Sequence, residues 1–228
     1  MIIPGRCRNI LFRELKEDPY LIKRIPCNDI KNFLDIGAAY GITSIQAKLN
    51  HTDMKVVAIE PDIRSYNDLR QNVDNLYIYT YNLALGNGEE FYLAKERKTP
   101  LCNRFVPKTD TSATFKSKSY TLSQLVDITK VDKNNLWIKV DTEGAERYLF
   151  DASSRDILES AKIIVMEGHG NDDVGPLDDL IKLLNDNNLD KTHVTVTMRT
   201  SSSLMNIKIV RKDYLNFLHS KGILNEIQ

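Results

Sequence analysis

From residue 31 onward, short β-branched apolar runs alternate with longer stretches whose apolar side chains recur every three or four positions. That alternation is the signature of βαβ units and of a parallel sheet. Residues 32 to 36 (NFLDI) read as the first strand, 41 to 50 as a helix, and 55 to 60 (KVVAIE) as the second strand. A helix follows from Asp62 to Val73, with Ile63, Tyr66, Leu69 and Val73 on one face, and then a third strand over 77 to 85. The rhythm breaks after Gly86. A short strand is expected at 89 to 94, and a polar segment with two prolines at 95 to 116, too long for mere connection and placed to act as a flap. The segment from 121 to 128 resumes as a helix.

LWIKV at 136 to 140 is the fourth strand, followed by helices from Ala145 and near Arg155 to Ser160. KIIVME at 162 to 167 is the fifth strand, and Pro176 to Asn188 reads as a helix with Leu177, Leu180, Ile181 and Leu184 on its buried side. Residues 192 to 198 and 206 to 210 form an antiparallel closing pair, and a last helix runs from about Lys212 to His219. The expected architecture is an α/β Rossmann-like fold: a mostly parallel seven-stranded sheet with helices on both faces and an antiparallel strand near the C-terminus. Residues 1 to 30 are read as an extension and 31 to 228 as one domain.

Composition narrows the class. The chain has 228 residues, 42% hydrophobic and 27% charged, ordinary values for a globular protein. Its 31 basic residues balance 31 acidic ones, so no net field favours a nucleic-acid backbone or an anionic membrane, and neither is expected as a partner. Three cysteines, Cys7, Cys27 and Cys102, cannot all pair within the chain, show no C-x-x-C spacing and point to a reducing compartment. The first twenty residues carry too much charge for a signal-peptide core, and the expected location is the cytoplasm. The sequence assigns no oligomeric state.

In an open parallel sheet the ligand crevice lies outside the carboxyl ends of the strands. The first strand runs into Asp35-Ile-Gly37-Ala38-Ala39-Tyr40-Gly41, where two glycines permit a tight turn and close approach to a ligand before a helix begins. A dinucleotide loop would carry G-x-G-x-x-G. Here an acid precedes the first glycine, which suits an ammonium group and repels a diphosphate. The second strand ends in Glu60-Pro61, where a carboxylate can accept both hydroxyls of a ribose. Asp35 and Glu60 are thus expected to grip opposite halves of S-adenosylmethionine, its amino-acid end and its sugar. Asn82, on the third strand, offers an amide to the adenine edge or to an Asx turn.

The sharpest signal is Lys139-Val-Asp141-Thr-Glu143-Gly144-Ala-Glu146, with Glu167-Gly-His169 at the end of the next strand. Alternation sends Lys139 and Asp141 to one face. An ion pair of Lys139 with Glu167, and helix capping by Glu143 and Glu146, would explain those residues structurally. Asp141 and His169 are the catalytic candidates.

These residues resemble the FkbM family of methyltransferases over roughly 31 to 170: FLDIGAAYG, AIEP with Leu69 and Asn72, NLALG, and above all IKVDTEGAE with Leu149, Ala152 and Glu167-x-His169. One departure is Ala39, where the family commonly has asparagine. The resemblance implies S-adenosylmethionine as cofactor, contacted by Asp35, Gly37, Ala38, Gly41, Glu60, Pro61, Asn82 and Asp141. It also implies O-methylation of a small-molecule hydroxyl, on a metabolite or sugar.

An alcohol needs a base or a metal to become nucleophilic at neutral pH. His169 is expected as the base, with Asp141 orienting the cofactor or acceptor, and no metal is assigned. A magnesium or manganese ion held by Asp141 with Glu143, Glu167 or His169 is the weaker alternative. The competing readings are an NAD-type oxidoreductase and a binding module without turnover.

Overall fold

A computed structural model of the chain describes residues 2–3, 5–26, 29–94, 104–106, 113–170, 175–198 and 204–222. Helix α1 (Gly5–Glu17) opens the chain, and a buried turn leads into β1 (Asn32–Ile36), enclosed along its whole length. Helix α2 (Ile42–Asn50) starts directly after Gly41, and β2 (Lys55–Ile59) follows. Helix α3 (Ile63–Asn72) is capped by Asp62, whose side chain accepts from the Arg64 amide.

The strand expected over 77 to 85 is broken in two, β3 (Ile78–Tyr81) and β4 (Ala84–Leu85), and the halves belong to different sheets. At the break the Asn82 amide donates to the carbonyls of Glu60 and Pro61, a pair of bonds that ties the chain to the end of β2 instead of continuing its ladder. Beyond it come β5 (Glu90–Ala94), β6 (Arg104–Val106) and β7 (Ala113–Tyr120), which with β4 form a four-stranded sheet in the order β4-β7-β5-β6. Part of the segment expected as a flap is therefore sheet, and residues 95–103 and 107–112 lie outside the described residues, as do Cys27 and Cys102. Strand β7 was not legible because Lys116, Ser117, Lys118 and Ser119 carry no apolar alternation.

Helix α4 (Leu122–Thr129) begins in a reciprocal cap between Thr121 and Gln124. Strand β8 (Leu136–Val140) is followed by a 3₁₀ segment, Ala145–Phe150, where a regular helix was expected, and then by α5 (Arg155–Ser160). The remainder is β9 (Ile163–His169), α6 (Leu177–Asp186), β10 (Thr192–Met198), β11 (Leu204–Arg211) and α7 (Lys212–Ser220).

The main sheet has seven strands in the order β10-β11-β9-β8-β1-β2-β3. Pairings from β9 through β3 are parallel, and β11 runs antiparallel to both β9 and β10. The mixed, mostly parallel sheet and its antiparallel closing pair are as the sequence pattern required. Alternate residues feed two cores. Leu34, Ile36, Ile138 and Val140 pack with α4, α5 and α6 on one face, while Phe33, Trp137 and Val165 pack with α7 on the other. Tyr20, Leu21, Ile22, Ile25 and Ile30 join that second core, so the back part of the expected extension is fixed against the sheet. Among the described residues no helix is long and apolar enough to cross a membrane.

Candidate active site

The loop between β1 and α2 is built from left-handed backbone: φ is +80° at Gly37, +47° at Ala39 and +85° at Gly41. Gly37 is required by the backbone it faces, and Gly41 by its φ together with a side-chain contact. A Cβ on Gly37 would sit 1.8 Å from the Asp141 carbonyl oxygen, and one on Gly41 would sit 2.5 Å from Leu69 Cδ1. Ala39 shares the conformation without that freedom, which gives a physical reason for asparagine at this place, since Asn tolerates positive φ better than other non-glycine residues. The loop is braced by bonds from Gly37 N and Ala38 N to the Ile59 carbonyl and from Gly41 N to that of Ala38.

Asp35, expected to face an ammonium group, is instead wholly enclosed. Its register partner across the β1–β8 pairing is Lys139, whose Nζ lies 3.0 Å from Asp35 Oδ1, and Ser44 Oγ donates to Asp35 Oδ2 at 2.6 Å. The Oδ1 contact is an ion pair off the hydrogen-bonding line, since that oxygen has no hydrogen bond. Lys139 also donates to the Gly37 carbonyl at 2.7 Å. The ion pair expected between Lys139 and Glu167 is thus replaced by one with Asp35. Cross-strand register decides it, because Asp35 and Lys139 are side by side on one face. Through Lys139, Asp35 braces the Gly37 carbonyl of the glycine loop.

Glu60 ends β2 with both oxygens occupied: Oε2 accepts from Ala39 N and Oε1 from Asp62 N, each at 2.9 Å. Burial pushes its carboxyl up to about 7, against the pull of those two amides. Pro61 and Asn82 lie beside it, the Asn82 amide closing on the carbonyls of Glu60 and Pro61, so both its N–H groups are committed and only its oxygen remains for a ligand. Glu60, Pro61 and Asn82 form one braced corner between the ends of β2 and β3.

The second group of ionisable side chains surrounds His169 at the end of β9. Its Nε2 faces Glu143 Oε2 at 3.6 Å, Glu167 Oε1 at 3.8 Å and Asp141 Oδ1 at 3.9 Å, while Nδ1 lies 3.1 Å from Glu146 Oε1. Glu143 reaches the group from a left-handed turn, φ +57°. Burial disfavours the charged ring, but the bond to Glu146 and the surrounding carboxylates outweigh it and push His169 up to about 10. In that form the ring carries a proton on each nitrogen, which only a cation at Nε2 would displace, and is not poised to accept one from an alcohol. Burial pushes Glu143 upward, against the pull of His169, and its carboxylate neighbours add to the rise. Burial raises the Glu146 carboxyl, but the hydrogen bond and charge of His169 and the amides of Thr142 and Gly144 outweigh it and hold Glu146 below its ordinary value.

Two residues of this site were missed from sequence. Glu146, read as a simple helix cap, is fully buried and gathers Thr142 N, Gly144 N and His169 Nδ1 on one oxygen. Tyr20, in a segment with no recognisable motif, donates to Asp141 Oδ2 at 2.8 Å, and Lys139 Nζ lies 5.2 Å from the centre of its ring. The first was signalled only by its place in the run ending at Glu146, the second by nothing local.

Cavities of about 500 Å³ beside Asn67 and Asp74 and about 460 Å³ beside Lys31 and Asp53 lie elsewhere, on α3 and at the opposite ends of β1 and β2.

Residues 35–191, the span that holds both groups, match the methyltransferase FkbM domain. The chain belongs to the FkbM methyltransferase family. It is an S-adenosylmethionine-dependent methyltransferase of Rossmann-like fold, and the oxidoreductase reading is set aside. Among solved structures it is similar to a precorrin-6y C5,15-methyltransferase from Geobacter metallireducens GS-15, at 15% identity and TM-score 0.51 over 87% of this chain and 88% of that one. It is also similar to an O-methyltransferase from Bacillus cereus in complex with SAH, at 10% identity and TM-score 0.52 over 92% and 93% of the two chains. At these identities the likeness is one of fold. No curated protein matches the chain.

Proposed function

We propose that this FkbM-family enzyme methylates a hydroxyl of a small metabolite or sugar in the crevice where β1, β2, β8 and β9 end. The observation that carries the reading is the convergence of Asp141, Glu143, Glu167 and His169 at adjacent strand ends, next to the Gly37–Gly41 loop. Their neighbourhood is polar and only partly covered, with 23% of the Asp141 side chain and 30% of the Glu143 side chain exposed.

The residues present fit the cofactor, with one reassignment. Backbone of Gly37, Ala38 and Gly41 forms the cradle, the carboxylate of Glu60 has lone pairs left for two sugar hydroxyls, and Pro61 with the Asn82 oxygen borders the base. The ammonium partner is Asp141 in place of Asp35, because Asp141 keeps a partly exposed carboxylate, 4.0 Å from Lys139, while Asp35 is wholly enclosed against the same amine at 3.0 Å. When bound, the cofactor supplies an electrophilic methyl group on a sulfonium.

The protein's own contribution is position. Asp141 and His169 line the acceptor side, and holding the acceptor oxygen in line with the methyl carbon supplies most of the acceleration expected for such a displacement. Tyr20 fixes Asp141 from the side away from His169, and Glu146 fixes the His169 ring.

Calorimetric titration with S-adenosylmethionine, followed by a labelled-methyl assay over a panel of sugars and hydroxylated metabolites, tests the reading. Micromolar cofactor binding and label on an acceptor oxygen are expected. Label transferred only to nitrogen or carbon acceptors, or to RNA, would overturn it.

A further inference from the structure

We infer that the cluster at the ends of β8 and β9 holds a hard divalent cation, Mn²⁺ or Mg²⁺, with Asp141, Glu143 and His169 Nε2 as ligands. Glu146 acts behind it to orient the ring. The inference rests on the methyltransferase reading for its use, but not for its geometry.

One potential ligand atom from each of Asp141, Glu143 and His169 lies within 4.8 Å of the other two. Nε2 is 3.6 Å from Glu143 Oε2 and 3.9 Å from Asp141 Oδ1. An octahedral ion with bonds of about 2.1 Å separates adjacent ligands by about 3.0 Å and opposite ones by about 4.2 Å, so these gaps are the size an ion spans. They are too long for hydrogen bonds. Glu167 Oε1, 3.8 Å from Nε2, stands where a further oxygen ligand or the partner of a coordinated water belongs.

The imidazole supplies an independent observation. Its side chain is only 9% exposed, yet Nε2 makes no hydrogen bond among the described residues and points into the carboxylates. Nδ1, by contrast, is held 3.1 Å from Glu146 Oε1, and that oxygen is pinned in turn by the amides of Thr142 and Gly144. A carboxylate behind the distal nitrogen is the usual support of a metal-bound histidine: it keeps the proton on Nδ1 and frees the Nε2 lone pair. Two or three carboxylates with one imidazole suit Mn²⁺ best, and Mg²⁺, with its stronger preference for oxygen, less well.

A cation here would lower the pKa of an acceptor hydroxyl bound beside it, so that the proton leaves to water. The oxygen–methyl bond then forms as the methyl–sulfur bond breaks, with its electron pair passing to sulfur. This would give His169 a ligand's role where a base was expected.

The test is direct. The full-length chain is stripped with chelator and titrated with Mn²⁺, free ion being read by electron paramagnetic resonance, and S-adenosylmethionine binding is measured on the same preparation by calorimetry. One Mn²⁺ per chain is expected, bound at least tenfold more weakly by Glu143→Gln. That variant is chosen because its side chain is the more exposed of the two carboxylate ligands, and Asp141→Asn provides a second. Cofactor binding with no Mn²⁺ uptake up to millimolar concentration overturns the cation site and leaves the methyltransferase reading standing, as does equal uptake by wild type and Glu143→Gln for the assigned ligands. Mn²⁺ binding without cofactor binding supports the cation site and overturns the parent reading.

Discussion

The hydroxyl of Tyr20 lies 2.8 Å from Asp141 Oδ2, joining two residues 121 positions apart at the mouth of the crevice. The bond places a segment with no motif of its own on a partly exposed acid of the site. Tyr20→Phe removes the donor and keeps the ring. A hydrogen bond to a charged group is worth about 1.5–3 kcal/mol, which corresponds to a loss of roughly tenfold or more in cofactor affinity if Asp141 must be held in place. Calorimetry on the variant, with its melting temperature as a control, would sink this relationship if affinity were unchanged.

The buried pair of Asp35 and Lys139 gives the second expectation. Removing one partner leaves an uncompensated charge, so Lys139→Met alone should cost about 3–5 kcal/mol in urea unfolding. Asp35→Leu with Lys139→Met should recover much of that loss, because no buried charge remains. Cofactor affinity should stay low in the double variant, since Lys139 no longer ties the Gly37 carbonyl. A double variant no more stable than the single would show that the two residues are not coupled as described.

Glu60 predicts a pH dependence. Its carboxyl is raised from 4.5 to about 7 in the folded chain, so the folded state binds this proton more tightly than the unfolded one. The resulting stability is full below about pH 4.5, declines as pH rises to about 7 and is flat beyond, a span worth up to about 3 kcal/mol. Binding of a ribose favours the ionised form, so cofactor affinity should move oppositely and rise toward pH 7. Comparing urea midpoints of wild type and Glu60→Gln from pH 4.5 to 8 isolates the term. A constant difference between the two proteins across that range would refute it.

The glycine loop yields opposite outcomes at neighbouring positions. Gly37→Ala forces a Cβ onto the Asp141 carbonyl and should abolish folding or cofactor binding. Ala39→Gly or Ala39→Asn relieves a left-handed alanine and should raise stability by about 1 kcal/mol. Thermal unfolding of the Ala39 variants decides the second part: a fall in melting temperature for both would mean that the alanine methyl is needed where it is.

The sequence by itself determined the strands of the main sheet, the glycine turn after the first of them, and the face shared by Lys139 and Asp141. Those features follow from local rules: apolar runs and two-residue alternation for strands, and glycine where φ must be positive. Only the tertiary structure decided the partners. Asp35 meets Lys139 because register sets β1 beside β8, His169 meets Glu146 because a 3₁₀ segment turns back on β9, and Tyr20 reaches Asp141 because the turn after α1 is buried in the same core as Trp137. The split of β3 from β4 and the small sheet around β7 were equally out of reach, one set by a single asparagine side chain and the other by polar strands without a pattern. Alternation tells which way a side chain points, but its charge is satisfied by whatever the fold brings from a hundred residues away.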